Sequence, residues 1–436
     1  MSAIVTSKFR IHNSQQFLEA FSEAATTNMY MFIGRPQAWT SDTSPPTPAD
    51  NVISEFDYWK DMLALKRVTS SDVKSATVRR NWTSGVVYDN YQHNYSSTNL
   101  SNSGAPSLAD ATYFVVTTDY NVYKCLFNNG NAASTVMPTG TSTSIITTAD
   151  GYKWKYMLTL SPGDATKFVT TDFIPVATDA TVQAAAVDGA LHVAKVTNGG
   201  SGYTAATATV DGDGTGAAVT VVVSGGQVTA VNFTSVGSGY TYATITISGD
   251  GTNATALPII GPKGGHGYDA VEELSAFYTI LNTRLEYADG SGDFVVSNDY
   301  RRIGLIRDPF NYGTTTVSTA TTLSAAKTVT LASGVTGTFS VDELITGGTS
   351  GATGRVIDYD STTRVLKYYK SSSENFIAFT TGETVTGGTS GAVGTSSAIG
   401  NPEVQPYSGD VIYVEQRRPI TRAADQVESI SLIIEF

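Results

Sequence analysis

The chain has 436 residues, 41% hydrophobic and only 15% charged, with a formal net charge of −12, 41 Gly and 23 Tyr. That length supports two or three domains, and the acidic balance excludes a general nucleic-acid binder, which needs a basic surface to release counterions. Cys125 is the single cysteine, so no internal disulfide forms, and no run approaches the roughly 18 apolar residues of a membrane span.

In chain order, residues 3–9 read as a strand leading into a helix capped by Asn13, with Gln16 three residues on and Phe17, Leu18 and Phe21 on one face. The opening MSAIVTSKFR lacks the apolar run of a secretory signal, which predicts cytoplasmic synthesis. A strand is predicted over 29–34, then a turn-rich stretch with Pro45, Pro46 and Pro48. Asp50 is the expected cap of a second helix, with Val52, Phe56, Trp59 and Leu63 on one stripe. From 78 to about 176, YFVVTT, VYKCLF and GYKWKYMLTL alternate as half-buried strands do.

Two families of internal repeats follow. GSGYTAATATVDGDGT at 200–215 returns as GSGYTYATITISGDGT at 237–252, and FSVDELITGGTSGATG at 339–354 returns as FTTGETVTGGTSGAVG at 379–394. Thr alternates with aliphatic residues between Gly-rich turns, so each unit reads as a small β-hairpin module. Two copies are too few for a solenoid. They predict two compact β insertions, 181–256 and 313–400, in a host formed by 1–180, 257–312 and 401–436. One helix is expected between them, with Asp269 and Glu272 as a capping box and Val271, Leu274, Tyr278, Leu281 and Leu285 buried. The expected fold class is mainly β, with a few helices.

Gly265, Gly267 and Ala270 fit G-x-G-x-x-A, a loop that could cradle a pyrophosphate, with Glu286 about 20 residues on. The acid precedes the next predicted strand (294–296), no βαβ series surrounds it, and no Gly-Lys-Ser/Thr follows Gly261, so a tight turn feeding a helix is the better reading. Asp211 and Asp213 suggest a calcium loop, but Val222 stands where a bidentate Glu is required and Ser248 replaces the first Asp in the repeat copy. His12, His93, His192 and His266 have no zinc spacing. The nucleophile elbow beginning at Gly348 fails at Ala352, and Glu272 and Glu273 are adjacent on a helix and do not face each other. No catalytic, cofactor or metal residues are therefore assigned, and no enzyme, small-molecule substrate, nucleic acid or membrane partner is expected.

AIVTSKFR, FIGRPQAW, NVISEFDYWKDMLALKRV, VRRNW, VYKCL, DGYKWKYML and SGDVIYVEQRRPITRAADQVESISLIIEF occur in this order, with YRRIGLIRDPF at 300–310 between the last two. Together they resemble the baseplate wedge family of T-even-type contractile phages, the gene 8 product family, over about half the chain. The repeat regions depart from that form. The resemblance implies a β-sandwich host with helices carried on loops, a homodimer within each wedge, contacts with other wedge proteins, and a place in the virion. Arg417, Arg418 and Arg422 punctuate an acidic chain, and forked guanidinium donors suit a protein interface; pairing with Glu415 and Glu428 is the alternative. IYVEQRRPI and ESISLIIEF, separated by a turn at Ala424 and Asp425, are expected to complete a sheet begun by 3–9. A virion carbohydrate-binding or adhesin module is the competing function, because β repeats rich in Gly, Thr and Tyr also present such surfaces.

Overall fold

A computed structural model describes residues 4–23, 27–285, 299–421 and 428–436. The fold is mainly β, in antiparallel sheets, with few and short helices. The chain divides into two compact units: Met1–Phe17, Lys74–Ile280 and Ile433–Phe436 form one, Leu18–Val73 and Leu281–Leu432 the other.

In the second unit, a five-stranded sheet runs in the order Thr322–Ser324, Met62–Val68, Met29–Gly34, Asp299–Arg307, Asp410–Thr421. Met29–Gly34 was expected as a strand, and all six of its residues are buried because it is central and covered on both faces. Tyr30, Phe32, Trp59, Met62, Leu65 and Ile306 form the core of this sheet. The helix before Met62 spans Val52–Lys60, capped by Asn51, whose side chain accepts from the Ser54 amide; Asp50 is not the cap. Leu63, expected on that helix, lies in the strand Met62–Val68.

Also in this unit, Lys327–Leu331, Val365–Tyr369, Thr353–Asp360, Leu344–Gly347, Thr384–Gly387 and Val393–Gly400 close in that order into a barrel. Closure removes open sheet edges, and Val329, Ile345, Val356, Leu366, Tyr368 and Val385 fill the interior. The two repeat copies complete each other. The amides of Thr389 and Ser390 donate to Glu343 at 3.0 and 2.8 Å, and those of Thr349 and Ser350 donate to Glu383 at 3.2 and 2.9 Å. Each copy's buried glutamate thus holds the other's Gly-Gly-Thr-Ser-Gly turn.

In the first unit, the sheet Phe114–Val116, Asn121–Phe127, Lys153–Thr159, Ile146–Thr147 carries the main core. Its middle strands each bury five consecutive residues, so the expected half-buried alternation gives way to coverage on both faces. The first repeat pair forms a four-stranded sheet, Ala206–Gly212, Ala243–Gly249, Thr252–Pro258, Ala194–Ser201, and a long hairpin, Thr215–Ser224 with Gln227–Ser238. Gly225 and Gly226 turn that hairpin with φ of 60° and 80°, left-handed values that bulky residues avoid. Exchange recurs here. Asp213 accepts from the Thr241 amide at 2.9 Å, and Asp250 from the Thr204 amide at 2.9 Å. Tyr240 packs against Gly214, and Tyr203 against Gly251. In both modules the entering and leaving strands are ladder neighbours, Ala194 opposite Pro258 and Thr328 opposite Gly400.

The two ends of the chain depart from expectation. Residues 4–6 have no regular structure and Ser7–Glu19 is a helix, so the strand over 3–9 is not formed over its described residues and Asn13 lies inside the helix. Thr6 Oγ1 accepts from the Phe9 amide at 3.2 Å, which makes Thr6 the cap. The expected helix therefore starts earlier than Asn13 and ends before Phe21; its first turns bury only Ile11 and Ser14, too little apolar surface to mark them as helical in the sequence. The last strand, Glu428–Glu435, lies in a sheet beside Tyr278–Leu285, while Asp410–Thr421 pairs with Asp299–Arg307. No N-terminal strand joins either among the described residues. Instead Arg10 of the helix binds Glu435 and the Phe436 carbonyl, and the Phe17 and Phe436 rings lie 5.4 Å apart. The expected turn at Ala424 and Asp425 falls outside the described residues.

The predicted long helix after 269 shrinks to Ala270–Glu273. Ser275 takes a φ of 53° and ends it, and the β-branched and aromatic run Tyr278–Leu285 continues as a strand. Asp269 is the cap, accepting from Glu272, but it is Glu273 that receives the Asp269 amide, at 3.2 Å.

Candidate protein interface

The glycine loop is committed internally. Gly265 and Gly267 have φ of 94° and 96°, and a side chain at Gly265 would strike the Val187 backbone. The Gly267 amide donates to both oxygens of Glu273 at 2.8 and 3.1 Å, and Glu273 also pairs with the fully buried Lys124. The donors a pyrophosphate would need are thus turned onto a side chain of the same segment. The helix behind the loop has four residues, and Glu286 lies outside the described residues.

The same place brings together two histidines that are scattered in sequence. The rings of His192 and His266 lie 5.6 Å apart, and Tyr91 meets His266 edge-on at 4.8 Å. Burial, reinforced by Lys155, Lys124 and Lys153, pushes His192 down to about 4. Burial and the neighbouring Lys124 hold His266 well below its ordinary value as well. Both imidazoles are therefore neutral at pH 7, beside a Lys–Glu pair closed from solvent. No group of three or more His, Cys, Asp or Glu fit to hold a metal occurs among the described residues. The cluster orders this loop against the sheet.

Several of the remaining sequence candidates have structural partners. Asp213 serves the repeat exchange, and Ser350, at the failed elbow, donates its hydroxyl to Glu383 at 2.8 Å. His93 accepts from the Ile260 amide at 3.1 Å, and Glu272 pairs with Lys8 at 2.5 Å.

Two surface features remain. Asp410–Thr421 is an edge strand, and its ladder skips: Tyr300 faces Ile420 while Arg302 faces Gln416. Arg301 alone therefore stands opposite Arg417, Arg418 and Pro419, a bulge of the kind that re-aims side chains and blunts an edge. The Arg417 carbonyl is taken by Trp39 Nε1 at 2.9 Å, and Arg418 is exposed. Arg422 lies outside the described residues, so the structure does not bring the three arginines together as a described set.

The second feature is apolar. Tyr58 and Trp59 of the helix Val52–Lys60 are buried, but Val52, Ile53 and Phe56 are 67%, 75% and 44% exposed. Val52 and Phe56 were expected on the same stripe as Trp59; with the helix ending at Lys60, they face outward. Phe56 packs edge-on against Tyr407 at 5.0 Å, and Lys60 lies 4.5 Å from the ring of Phe376, itself 65% exposed. Contiguous exposed aromatic and aliphatic surface of this sort marks interaction sites. Its members come from residues 52, 376 and 407, a meeting that no local pattern announces.

Residues 3–136 match the model of the family described as "Bacteriophage T4, Gp8". The baseplate wedge protein gp8 of Enterobacteria phage T4 is 26% identical over 201 residues, covering 40% of this chain and 60% of the phage protein. The chain thus spans less than two thirds of that relative.

Proposed function

We propose that this chain is a non-enzymatic structural subunit of a contractile-tail baseplate wedge, made in the host cytoplasm and carried into the virion. It acts by pairing with itself and by binding neighbouring wedge proteins. The similarity of residues 3–136 to the gp8 family carries the reading. The exposed Val52–Phe56 face and the commitment of the glycine loop to Glu273 agree with it. The two repeat pairs are insertions into the host, a reading supported by the adjacency of their ends in the ladders Ala194–Pro258 and Thr328–Gly400.

Light scattering should find a particle of about twice the 46.0 kDa chain mass, and co-expression with the other wedge proteins of the same phage should yield a stable complex. Truncation before residue 411 should abolish folding, since it removes nearly all of Asp410–Thr421 and the whole of Glu428–Glu435. A monomer that stays out of every wedge complex overturns the proposal.

A further inference from the structure

Beside the exposed helix face lies a cavity of about 150 Å³, walled by Trp59, Tyr368, Phe376 and Tyr407 and ringed by Lys60, Lys327 and Lys370. Two of these ammonium groups are fastened. Lys60 donates to the Glu374 carbonyl at 2.8 Å, and Lys370 to the carbonyls of Asn375 and Ile377, each at 2.7 Å. Lys327 has no hydrogen-bond or ion-pair partner among the described residues. Burial lowers its proton affinity, and its charge in turn helps to lower that of Lys370. Glu374, the nearby acid, is occupied by Ser371, Ser373 and Arg355. A half-buried cation without a counter-ion, in a chain of net charge −12, is an incomplete pair.

We propose that this cavity and the adjoining Val52–Phe56 face receive a segment of another protein in which a carboxylate stands next to a large apolar side chain. The carboxylate pairs with Lys327, and the apolar side chain enters between Phe376 and Tyr407. A second copy docked by two-fold symmetry would set this positive patch against itself, which disfavours self-association here. Single-stranded nucleic acid also suits aromatic and basic surfaces, but a single ammonium without a partner among the described residues, beside a small cavity, matches one carboxylate better than a run of phosphates. The inference rests on the wedge reading, since it names the chemistry of one wedge contact.

The test uses the full chain and a fluorescent peptide containing Glu-Leu-Phe-Glu, compared by polarisation with its Gln-Leu-Phe-Gln counterpart. The acidic peptide should bind roughly tenfold more tightly, and Lys327→Gln should erase that preference, as loss of a desolvated charge partner does. Ile53→Ser and Phe376→Ser, at exposed positions, should weaken both peptides alike, which keeps the test decisive should Lys327→Gln misfold. No peptide binding, equal binding of both peptides, displacement by a short oligothymidine, or conversion of a dimer to monomers by Ile53→Ser would each overturn the proposal. Wedge entry retained without peptide discrimination removes this contact alone. Peptide discrimination retained in a chain that joins no wedge removes the wedge reading alone.

Discussion

The two repeat pairs solve one problem in different solvents. In each, an acid of one copy receives the backbone amides of the other copy, so neither copy is complete alone. In the barrel the acids are Glu343 and Glu383, 4% and 3% exposed. In the first module they are Asp213 and Asp250, both on the surface. Burial alone would raise the two glutamates, but the Ser390 and Ser350 donors outweigh it and hold both below the ordinary carboxylate value. Hydroxyl donation from Thr241 and Thr204 draws the two aspartates down to about 2. Equal connectivity therefore does not mean equal energetic weight: the same exchange is a core element in one module and a surface latch in the other.

The largest effect should come from dividing a pair. Excising residues 379–394 leaves Glu343 without its partner turn and opens the barrel, so the barrel's calorimetric transition should disappear. Excising 328–400 whole and joining the neighbouring ends should leave a soluble, cooperatively unfolding remainder. The cut at 328 spares Thr322–Ser324, which pairs with Met62–Val68 in the five-stranded sheet. A barrel that survived loss of one copy would show the exchange to be dispensable.

Next in size is Glu383→Ala. It strands the amides of Ser350, Thr349 and Thr380 and the Ser350 hydroxyl in a nearly buried site. Leaving such donors unpaired costs about 3 kcal/mol, which should appear as a lowered midpoint of the barrel transition. Glu343→Ala should behave alike, and Glu383→Gln, which keeps an acceptor, should lose less. Because both glutamates are depressed in the fold, their contribution is complete above the unfolded carboxylate value and is lost as pH falls through the folded one. A barrel midpoint unmoved by either alanine variant would put the glutamates outside the stabilising set.

The His192–His266 cluster sharpens the contrast, because its titration is set by burial among cations. With His192 lowered to about 4, its contribution is complete above the unfolded value near 6.5 and is lost as pH falls through 4. The loss, on the order of 2 kcal/mol after allowance for partial exposure, should be seen as a falling unfolding midpoint across that window. His192→Gln should flatten the profile. An unchanged slope would mean that the imidazole is solvated.

The sequence carried these features unevenly, for physical reasons. MYMFIG was legible as a strand because a short apolar run bounded by turns has few other uses. The repeats were visible as text, but their exchange was not, since a glutamate 47 residues from Ser390 leaves no local trace. At 271–285 the apolar spacing fits a helix, yet the left-handed turn at Ser275 and the β-rich residues after it prevail. At Ser7–Glu19 the second half of the helix was legible from Phe17 and Leu18, but its first turns were not, because they bury only Ile11 and Ser14. The setting of the glycine loop argues against a dinucleotide fingerprint in the sequence alone, but its link to Glu273, Lys124 and the paired histidines needed the fold. Lys327 and Tyr407, 80 residues apart, carried no signal at all.

The smallest expected effect belongs to Asp213→Asn. Its carboxylate accepts from the amides of Thr241 and Tyr242 at 2.9 and 3.1 Å and from the Thr241 hydroxyl at 2.5 Å. Asparagine keeps one oxygen for these donors, and water reaches an exposed turn to satisfy the rest, so the loss is a charge already screened by solvent. The unfolding midpoint should fall by about 2 °C or less, well short of Glu383→Ala. Tyr240→Ala in the same module should do more, because that ring is 5% exposed, packs on Gly214 and accepts from the Ala217 amide at 3.4 Å. That ordering separates the two halves of the first module's latch: the aromatic ring supplies the packing, and the acid sets the turn. An Asp213→Asn loss as large as that of Glu383→Ala would mean that burial is not what distinguishes the modules, and the comparison between them would fail.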